Sequence, residues 1–219
     1  MSVIVKSEPR TVLPTAGPRG LPFAHLNLSR NPFGELELDQ RAALAVVDID
    51  RFVERLQRPG YAVQFLGDKG RGKTTHLLAI RQHFPEAPYL HIGEGERPRI
   101  PRGHPLMIDE IQRLPRWRRR WVFRRPVSFV IGTHEDVSAE LVRAGFEVDT
   151  IEAAASIDDE RLHEILNRRI RWARRTPGPI PCVTLETAGA LIDRFGDDVR
   201  TIEWYLYEQF QGLREIHDV

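Results

Sequence analysis

The 219-residue sequence has little of several features that define whole classes of protein. It contains one cysteine, Cys182, which excludes an internal disulfide framework and a cysteine-rich zinc site. No run approaches the roughly 18 consecutive apolar residues of a transmembrane helix, so we expect no membrane insertion. The N-terminal residues are interrupted by prolines and carry no apolar segment of signal-peptide length. We therefore expect a cytoplasmic protein.

Lysine is also scarce, since it supplies only three of the 32 basic side chains and arginine supplies the rest. The net charge is nevertheless +1, because 31 acidic side chains balance the basic ones. This balance argues against indiscriminate binding to nucleic acid but leaves room for local basic surfaces. The rarity of lysine makes the positions of Lys69 and Lys73 informative.

Short apolar runs alternate with helical patterns in the middle of the chain. This alternation predicts an α/β fold with a parallel sheet covered on both faces. The predicted strands are residues 61–66, 89–92, 105–108, 127–131 and 146–151, and the helices between them are residues 73–84 and 137–144.

The ends of the chain follow a different pattern. We expect a flexible arm over residues 1–22, a nucleotide-binding core over 23–155 and a helical region over 156–219. Residues 35–57 predict two helices that meet near 48–50, within the core. The helical region predicts helices over 158–175, 184–195 and 197–213, the first capped by Ser156 or Asp158.

A glycine-rich segment between the first strand and its helix has the spacing of a phosphate-binding loop. Gly67, Gly72, Lys73 and Thr74 satisfy G-x-x-x-x-G-K-[ST]. In such a loop, backbone N–H groups and the helix N-terminus face the phosphates, the lysine neutralises them, and the hydroxyl ligates Mg²⁺. The predicted nucleotide-binding residues are Gly67, Asp68, Lys69, Gly70, Arg71, Gly72, Lys73, Thr74 and Thr75. The alternative is a glycine-rich surface turn with a solvated lysine.

A buried strand that ends in two acidic residues provides the second candidate feature. Asp109 would hold Mg²⁺ together with Thr74, and Glu110 would deprotonate the attacking water. The alternative is a strand that simply ends in solvated acids.

The apolar segment 129–131 runs into polar residues that are candidates for sensing the terminal phosphate or placing the water. Thr133 is the first choice and His134 the second. The alternative is an ordinary exit from a strand into a loop.

Together these motifs, over residues 60–219, resemble the AAA+ ATPases among the P-loop NTPases. The glycine-rich loop corresponds to Walker A and Asp109-Glu110 to Walker B. The sequence most resembles short bacterial AAA+ proteins of the transposition-regulator and secretion-ATPase type. The resemblance implies ATP and Mg²⁺ as ligands, a five-stranded parallel sheet in the order 5-1-4-3-2, and a small C-terminal helical lid.

The resemblance also implies roles for two arginines. Arg200, in a G-x-x-x-R context at the start of the last helix, would contact the γ-phosphate from the lid. Arg143 would act as an arginine finger from a neighbouring subunit, which implies a homo-oligomer; its alternative role is a cation at a helix C-terminus. The loop Asn31-Pro32-Phe33 is similar to the segment that lies beside the base in some members of the family.

Two basic clusters make DNA a candidate partner. Residues 113–125 hold seven arginines interleaved with Trp117, Trp121 and Phe123, and residues 168–175 hold five arginines. Arginine with aromatic residues suits phosphate contacts and base stacking. The alternatives are an interface with another subunit or a protein partner, and plain solvation.

These observations leave two functional hypotheses. The first is an ATPase that couples hydrolysis to movement of the lid or of an oligomer, with Lys73, Glu110, Thr133, Arg200 and Arg143 as its catalytic groups. The second is a nucleotide-switched module that binds protein or DNA and has little turnover of its own. A small-molecule kinase is disfavoured, because the acidic pair and the lid arginine fit water better as the acceptor.

Overall fold

A computed structural model describes residues 22–153 and 157–219. Residues 1–21 of the predicted arm, the predicted domain boundary and the cap candidate Ser156 lie outside these ranges. Within them the chain has an α/β fold in which five parallel strands form one sheet, which confirms the predicted class. No described helix is both long and apolar enough to cross a membrane.

The strand order across the sheet is β2-β3-β4-β1-β5. Counted from the other edge, this is 5-1-4-3-2, the order that the resemblance implies. Each strand lies within two residues of its predicted position. The strands are β1 Tyr61–Leu66, β2 Tyr89–His91, β3 Leu106–Asp109, β4 Phe129–Thr133 and β5 Glu147–Glu152.

Eight α-helices are described, and seven of them correspond to predicted helices. The additional helix is α4, which lies within the first arginine cluster. Side chains of Asp158, Thr184 and Asp198 accept hydrogen bonds from the first turns of α6, α7 and α8. The helices are α1 Leu38–Ala43, α2 Asp50–Leu56, α3 Lys73–His83, α4 Arg116–Val122, α5 Ser138–Arg143, α6 Asp159–Ala173, α7 Leu185–Phe195 and α8 Val199–Gly212.

The sheet separates two apolar cores because successive strand residues face opposite sides. On one side Ala62 and Ile131 pack with residues of α4 and α5. On the other side Val63 and Met107 pack with residues of α2 and α3. Burial on both faces accounts for the nearly continuous apolar sequence of β1 and β3.

A third core joins α6, α7 and α8 to the segment 23–34, which we had grouped with the α/β core. Leu26, Leu28 and Phe33 belong to this third core. Ser29 N donates to the carbonyl of Ala173 over 2.8 Å, and Arg169 Nε donates to the carbonyl of Pro32 over 2.8 Å. The segment therefore packs with the C-terminal helices and brings the 31–33 loop beside them.

Candidate active site

A cleft of about 1070 Å³ opens beside the glycine-rich loop. Its walls come from four parts of the chain: residues 33–47, the loop with the first turn of α3, the ends of β3 and β4, and helices α6 and α8. The ends in question are the carboxyl ends of the parallel strands, where ligands of open α/β sheets usually bind.

The glycine-rich loop adopts a conformation that only glycines take readily. Gly67, Gly70 and Gly72 have φ angles of +152°, +91° and +84°. Gly72 is the N-cap residue of α3, and no side chain caps this helix. The N–H groups of its first turn are therefore available to an anionic ligand.

Lys73 lies inside the curve of this loop and is only 5% exposed. Its Nζ donates to the carbonyl oxygens of Gly67 and Asp68 over 2.7 and 2.8 Å. Burial lowers the pKa of Lys73, and the nearby carboxylates of Glu110 and Asp109 oppose that shift. The ammonium group thus occupies the place where the loop would bring phosphate oxygens.

Asp109 is 1% exposed and binds Thr74 of the glycine-rich loop directly. Thr74 Oγ1 donates to Asp109 Oδ2 over 2.7 Å, and the Tyr89 hydroxyl donates to the same oxygen over 3.2 Å. His91 Nδ1 lies 3.4 Å from that oxygen. Burial and the neighbouring Asp109 raise the pKa of Tyr89, so its hydroxyl stays protonated and remains a donor.

The second oxygen of Asp109 has no hydrogen-bond partner within residues 22–153 and 157–219. It lies against Gly132, where an added Cβ would be 2.2 Å away. In the described part of the chain, no three His, Cys, Asp or Glu side chains form a metal-binding group. Mg²⁺ needs no such cage, because it is usually held by one or two carboxylates, waters and substrate phosphates. The hydroxyl of Thr74 and the free oxygen of Asp109 fit that requirement.

Glu110 follows Asp109 with a left-handed backbone, at φ +65°. Its Oε2 accepts from Gln112 Nε2 over 2.7 Å, and its Oε1 lies 3.2 Å from His134 Nε2. Burial alone would raise the pKa of Glu110. The Gln112 hydrogen bond and the charges of His134, Arg113 and Lys73 outweigh burial and lower it. The carboxylate is therefore ionised and oriented, as a base for water must be.

The structure places the two sensor candidates differently. The hydroxyl of Thr133 is buried and donates to the carbonyl of Glu135 over 2.7 Å, so it closes a turn. His134 lines the cleft, with Nε2 3.3 Å from Lys73 Nζ. The geometry therefore favours His134, the second choice, for contact with a ligand.

The two arginines implied by the resemblance lie at different places. Arg200, in the first turn of α8, lines the cleft, and its Cβ is 3.6 Å from where a Cβ on Gly70 would lie. Arg71 of the loop forms an ion pair with Asp197, just before α8. Arg143, at the end of α5, is exposed and does not line this cleft. Only Arg200 is thus brought to the site within one chain.

Apolar residues 44–47 line the cleft on the side of α6, and two arginines of α6 hold this segment in place. Arg161 donates to the carbonyl of Val46 over 3.0 Å, and Arg168 to that of Ala45 over 2.6 Å. Arg169 is buried and donates to the carbonyl of Gly34 over 2.6 Å. Two of the five arginines in the second cluster, Arg168 and Arg169, therefore hold segments that line the cleft and are not part of a free basic surface.

Three residues at the site were not predicted: Tyr89, His91 and Gln112. The first two lie on β2, which is short and carries no motif. The strand order places β2 beside β3, and that neighbourhood is the signal that would have found them. Gln112 follows the acidic pair by two residues, but its contact with Glu110 depends on the turn after β3.

No protein-family model matches this chain, and no curated protein has a significantly similar sequence. The case for its function therefore rests on the residues and geometry of the cleft.

Proposed function

We propose that this chain is an ATPase of the AAA+ type, with a P-loop nucleotide-binding core and a helical lid. One observation carries the proposal: Thr74 of the glycine-rich loop bonds to Asp109 at 2.7 Å, with Lys73 and Glu110 beside them in one cleft. If the loop were only a surface turn and the acidic residues only a solvated strand end, nothing would require the two to be in contact. Their contact is what shared ligation of a nucleotide-bound Mg²⁺ requires.

ATP binding would use the two ends of the cleft. The triphosphate would lie on the first turn of α3, where N–H groups and Lys73 favour negative charge. The adenine ring would lie against the apolar segment 44–47 and Ile165 of α6. Thr74 and Asp109 would hold Mg²⁺, which supplies charge neutralisation to the phosphates when bound.

Hydrolysis would use Glu110 as the general base. It would accept a proton from the water that attacks the γ-phosphorus, while the bond to the bridging oxygen breaks and ADP leaves. His134 would position that water or the γ-phosphate, since its Nε2 lies between Lys73 and Glu110. Arg200 would stabilise negative charge from the lid, and loss of the γ-phosphate would release that contact.

A second candidate function is a nucleotide-switched binding module with little turnover. Both oxygens of Glu110 are engaged, by Gln112 and His134, and Lys73 is bonded to its own loop. In this second function, Glu110 and Lys73 would keep these contacts when nucleotide is bound, so that little water is activated. Low basal turnover that a partner or assembly does not raise would favour the module.

Nucleotide binding is the first test of the proposal. A fluorescent ATP analogue should bind in the presence of Mg²⁺, and Lys73→Ala should abolish that binding. Gln82→Ala, on the exposed side of the same helix, is the matched control and should bind normally. Equal binding by the wild type and Lys73→Ala would reject the phosphate site.

A further inference from the structure

Helix α4 presents an exposed row of arginines and tryptophans that the nucleotide site does not use. Trp117 and Trp121 are 64% and 68% exposed. Arg116 and Arg120 are exposed beside them on α4, and exposed Arg124 lies just beyond the helix, with its guanidinium 5.5 Å from the centre of the Trp121 ring. Residues four apart lie on one face of a helix, about 6 Å apart along its axis.

The other arginines of this cluster have structural roles. Arg119 is buried, and its Nη2 and Nε donate to the two carboxylate oxygens of Glu140 over 2.7 and 3.1 Å. Arg118 and Arg125 donate to the carbonyls of Pro98 and Pro101 over 2.7 and 2.6 Å. These bonds place the loop 97–102, with exposed Arg97, Arg99 and Arg102, against the α4 region.

Basic side chains predominate on this surface, and exposed Glu135 lies at its border, 3.8 Å from buried Arg119. From residue 97 to residue 134 the only acidic residues are Asp109 and Glu110, and both are buried in the candidate active site. Arg116, Arg120 and Arg124 form no salt bridge with any residue in the described ranges. Glu94 and Glu96 are exposed and precede the loop 97–102 in the sequence. Because the net charge of the whole chain is only +1, we expect a polyanion to be attracted to this local concentration of arginine and not to the protein surface in general.

We propose that the exposed face of α4, with the loop 97–102, binds single-stranded nucleic acid. The arginines would contact phosphates, and Trp117 and Trp121 would stack on two bases. A duplex hides its base faces and would leave both indole rings unused. An acidic protein would satisfy the arginines, but it lacks flat faces matched to two exposed indoles at regular spacing. This inference does not depend on ATP hydrolysis, and its test contains no ATP.

The test is fluorescence anisotropy with labelled oligonucleotides of about 16 nucleotides, the upper end of site sizes in single-strand binding domains. Single-stranded DNA, single-stranded RNA and duplex DNA are titrated separately, so that the source of the strand is identified. We expect a single strand to bind more tightly than the duplex. The double variant Trp117→Ala/Trp121→Ala should weaken single-strand binding by about tenfold or more, and Trp117→Phe/Trp121→Phe should weaken it less, because phenylalanine still stacks.

Charge variants test the phosphate contacts separately. Arg116→Gln/Arg120→Gln should reduce the salt dependence of single-strand affinity by a slope of about 1.4, from about 0.7 for each phosphate contact. Arg174→Gln/Arg175→Gln, at the exposed end of the second cluster, is the matched control and should leave the slope unchanged. Thermal unfolding midpoints equal to the wild type would show that these exposed substitutions preserve the fold.

Three outcomes would overturn the inference. The first is no binding of any strand. The second is binding that the tryptophan variants do not weaken or that is no tighter for the single strand than for the duplex, which indicates electrostatic attraction only. The third is tryptophan-dependent self-association in sedimentation without nucleic-acid binding, which would identify the surface as a contact between copies of this chain.

Discussion

His134 Nε2 lies 3.2 Å from Oε1 of Glu110, and the same nitrogen lies 3.3 Å from Nζ of Lys73. The imidazole thus joins the candidate base to the candidate phosphate-binding cation. Any group that binds at Lys73 will alter the surroundings of His134, and through it those of Glu110. In the proposed ATPase, His134 would therefore link nucleotide occupancy to the general base.

Replacing His134 separates the two sensor candidates. His134→Ala should lower ATP turnover about tenfold to a hundredfold, because an oriented polar group at the reacting centre is lost. Thr133→Val should instead lower stability by about 1 kcal/mol through the lost bond to Glu135, with little change in turnover. Steady-state turnover and urea unfolding measure the two effects. A larger loss of turnover in Thr133→Val than in His134→Ala would return Thr133 to the sensor role.

Gly132→Ala tests the position of Asp109. The new Cβ would be 2.2 Å from Asp109 Oδ1, so the buried carboxylate must move. We expect a stability loss of about 1–3 kcal/mol and loss of Mg²⁺-dependent turnover. Gly212→Ala, at the end of α8 with no atom within 4 Å of the added Cβ, should be neutral in both measurements. Full turnover in Gly132→Ala would show that this placement of Asp109 is not needed.

The pH dependence of turnover reports on Glu110. Its pKa is lowered, so the carboxylate stays ionised and turnover should be lost only when pH falls below the usual range of a glutamate. Removing the amide in Gln112→Ala removes a bond to the ionised form and should raise the pKa. The acid limb of the pH–rate profile should then move to higher pH. An unchanged limb would mean that another group sets it.

The lowered pKa also predicts a pH dependence of stability. Ionised Glu110 contributes stability above the pKa that it has in the unfolded chain. That contribution is lost as pH falls through the lower pKa of the folded state. Gln112→Ala should bring the pKa of Glu110 in the folded state closer to its value in the unfolded chain, and should therefore reduce the pH-dependent part of the stability. The free energy of unfolding in urea, measured across acidic pH, tests this expectation.

Arg143 lies outside the cleft of its own chain, so the proposed finger must act on a neighbour. Lys73→Ala and Arg143→Ala should each be inactive alone. When mixed, a Lys73→Ala subunit can donate its Arg143 to the intact cleft of an Arg143→Ala subunit, and part of the turnover should return. Arg214→Ala, an exposed arginine beyond α8, is the neutral control. A fully active Arg143→Ala protein would leave Arg143 as a helix-end cation.

The sequence was informative where one pattern carried one structural meaning. The apolar run 61–66 could only be buried, and β1 has those bounds. The spacing of Gly67 and Gly72 predicted a glycine-rich loop between the first strand and its helix, and the loop lies there, with positive φ angles at Gly67, Gly70 and Gly72. The convergence of Thr74 and Asp109 followed from the strand order, which motifs 35 residues apart do not specify by themselves.

The sequence was less informative where the environment of a side chain depends on residues that are distant in the chain. The buried face of α4 contains Arg119, whose charge is satisfied by Glu140, so the apolar pattern of a helix was hidden. The exact residue at which β4 ends could not be predicted from the sequence. Because the strand ends at Thr133, this residue is buried, whereas His134 follows the strand and is partly exposed. Segment 23–34 packs with the last helices through contacts that span well over a hundred residues.

The central claim is that Glu110 is the base of an ATPase, and turnover by Glu110→Gln beside the wild type tests it most directly. The comparison uses a series of protein concentrations, with ATP binding measured in parallel. We predict that Glu110→Gln binds ATP as the wild type does and that its turnover is abolished. Hydrolysis by Glu110→Gln at the wild-type rate would contradict the assignment of the base, and a wild type that binds ATP without turnover at every concentration would favour the nucleotide-switched module.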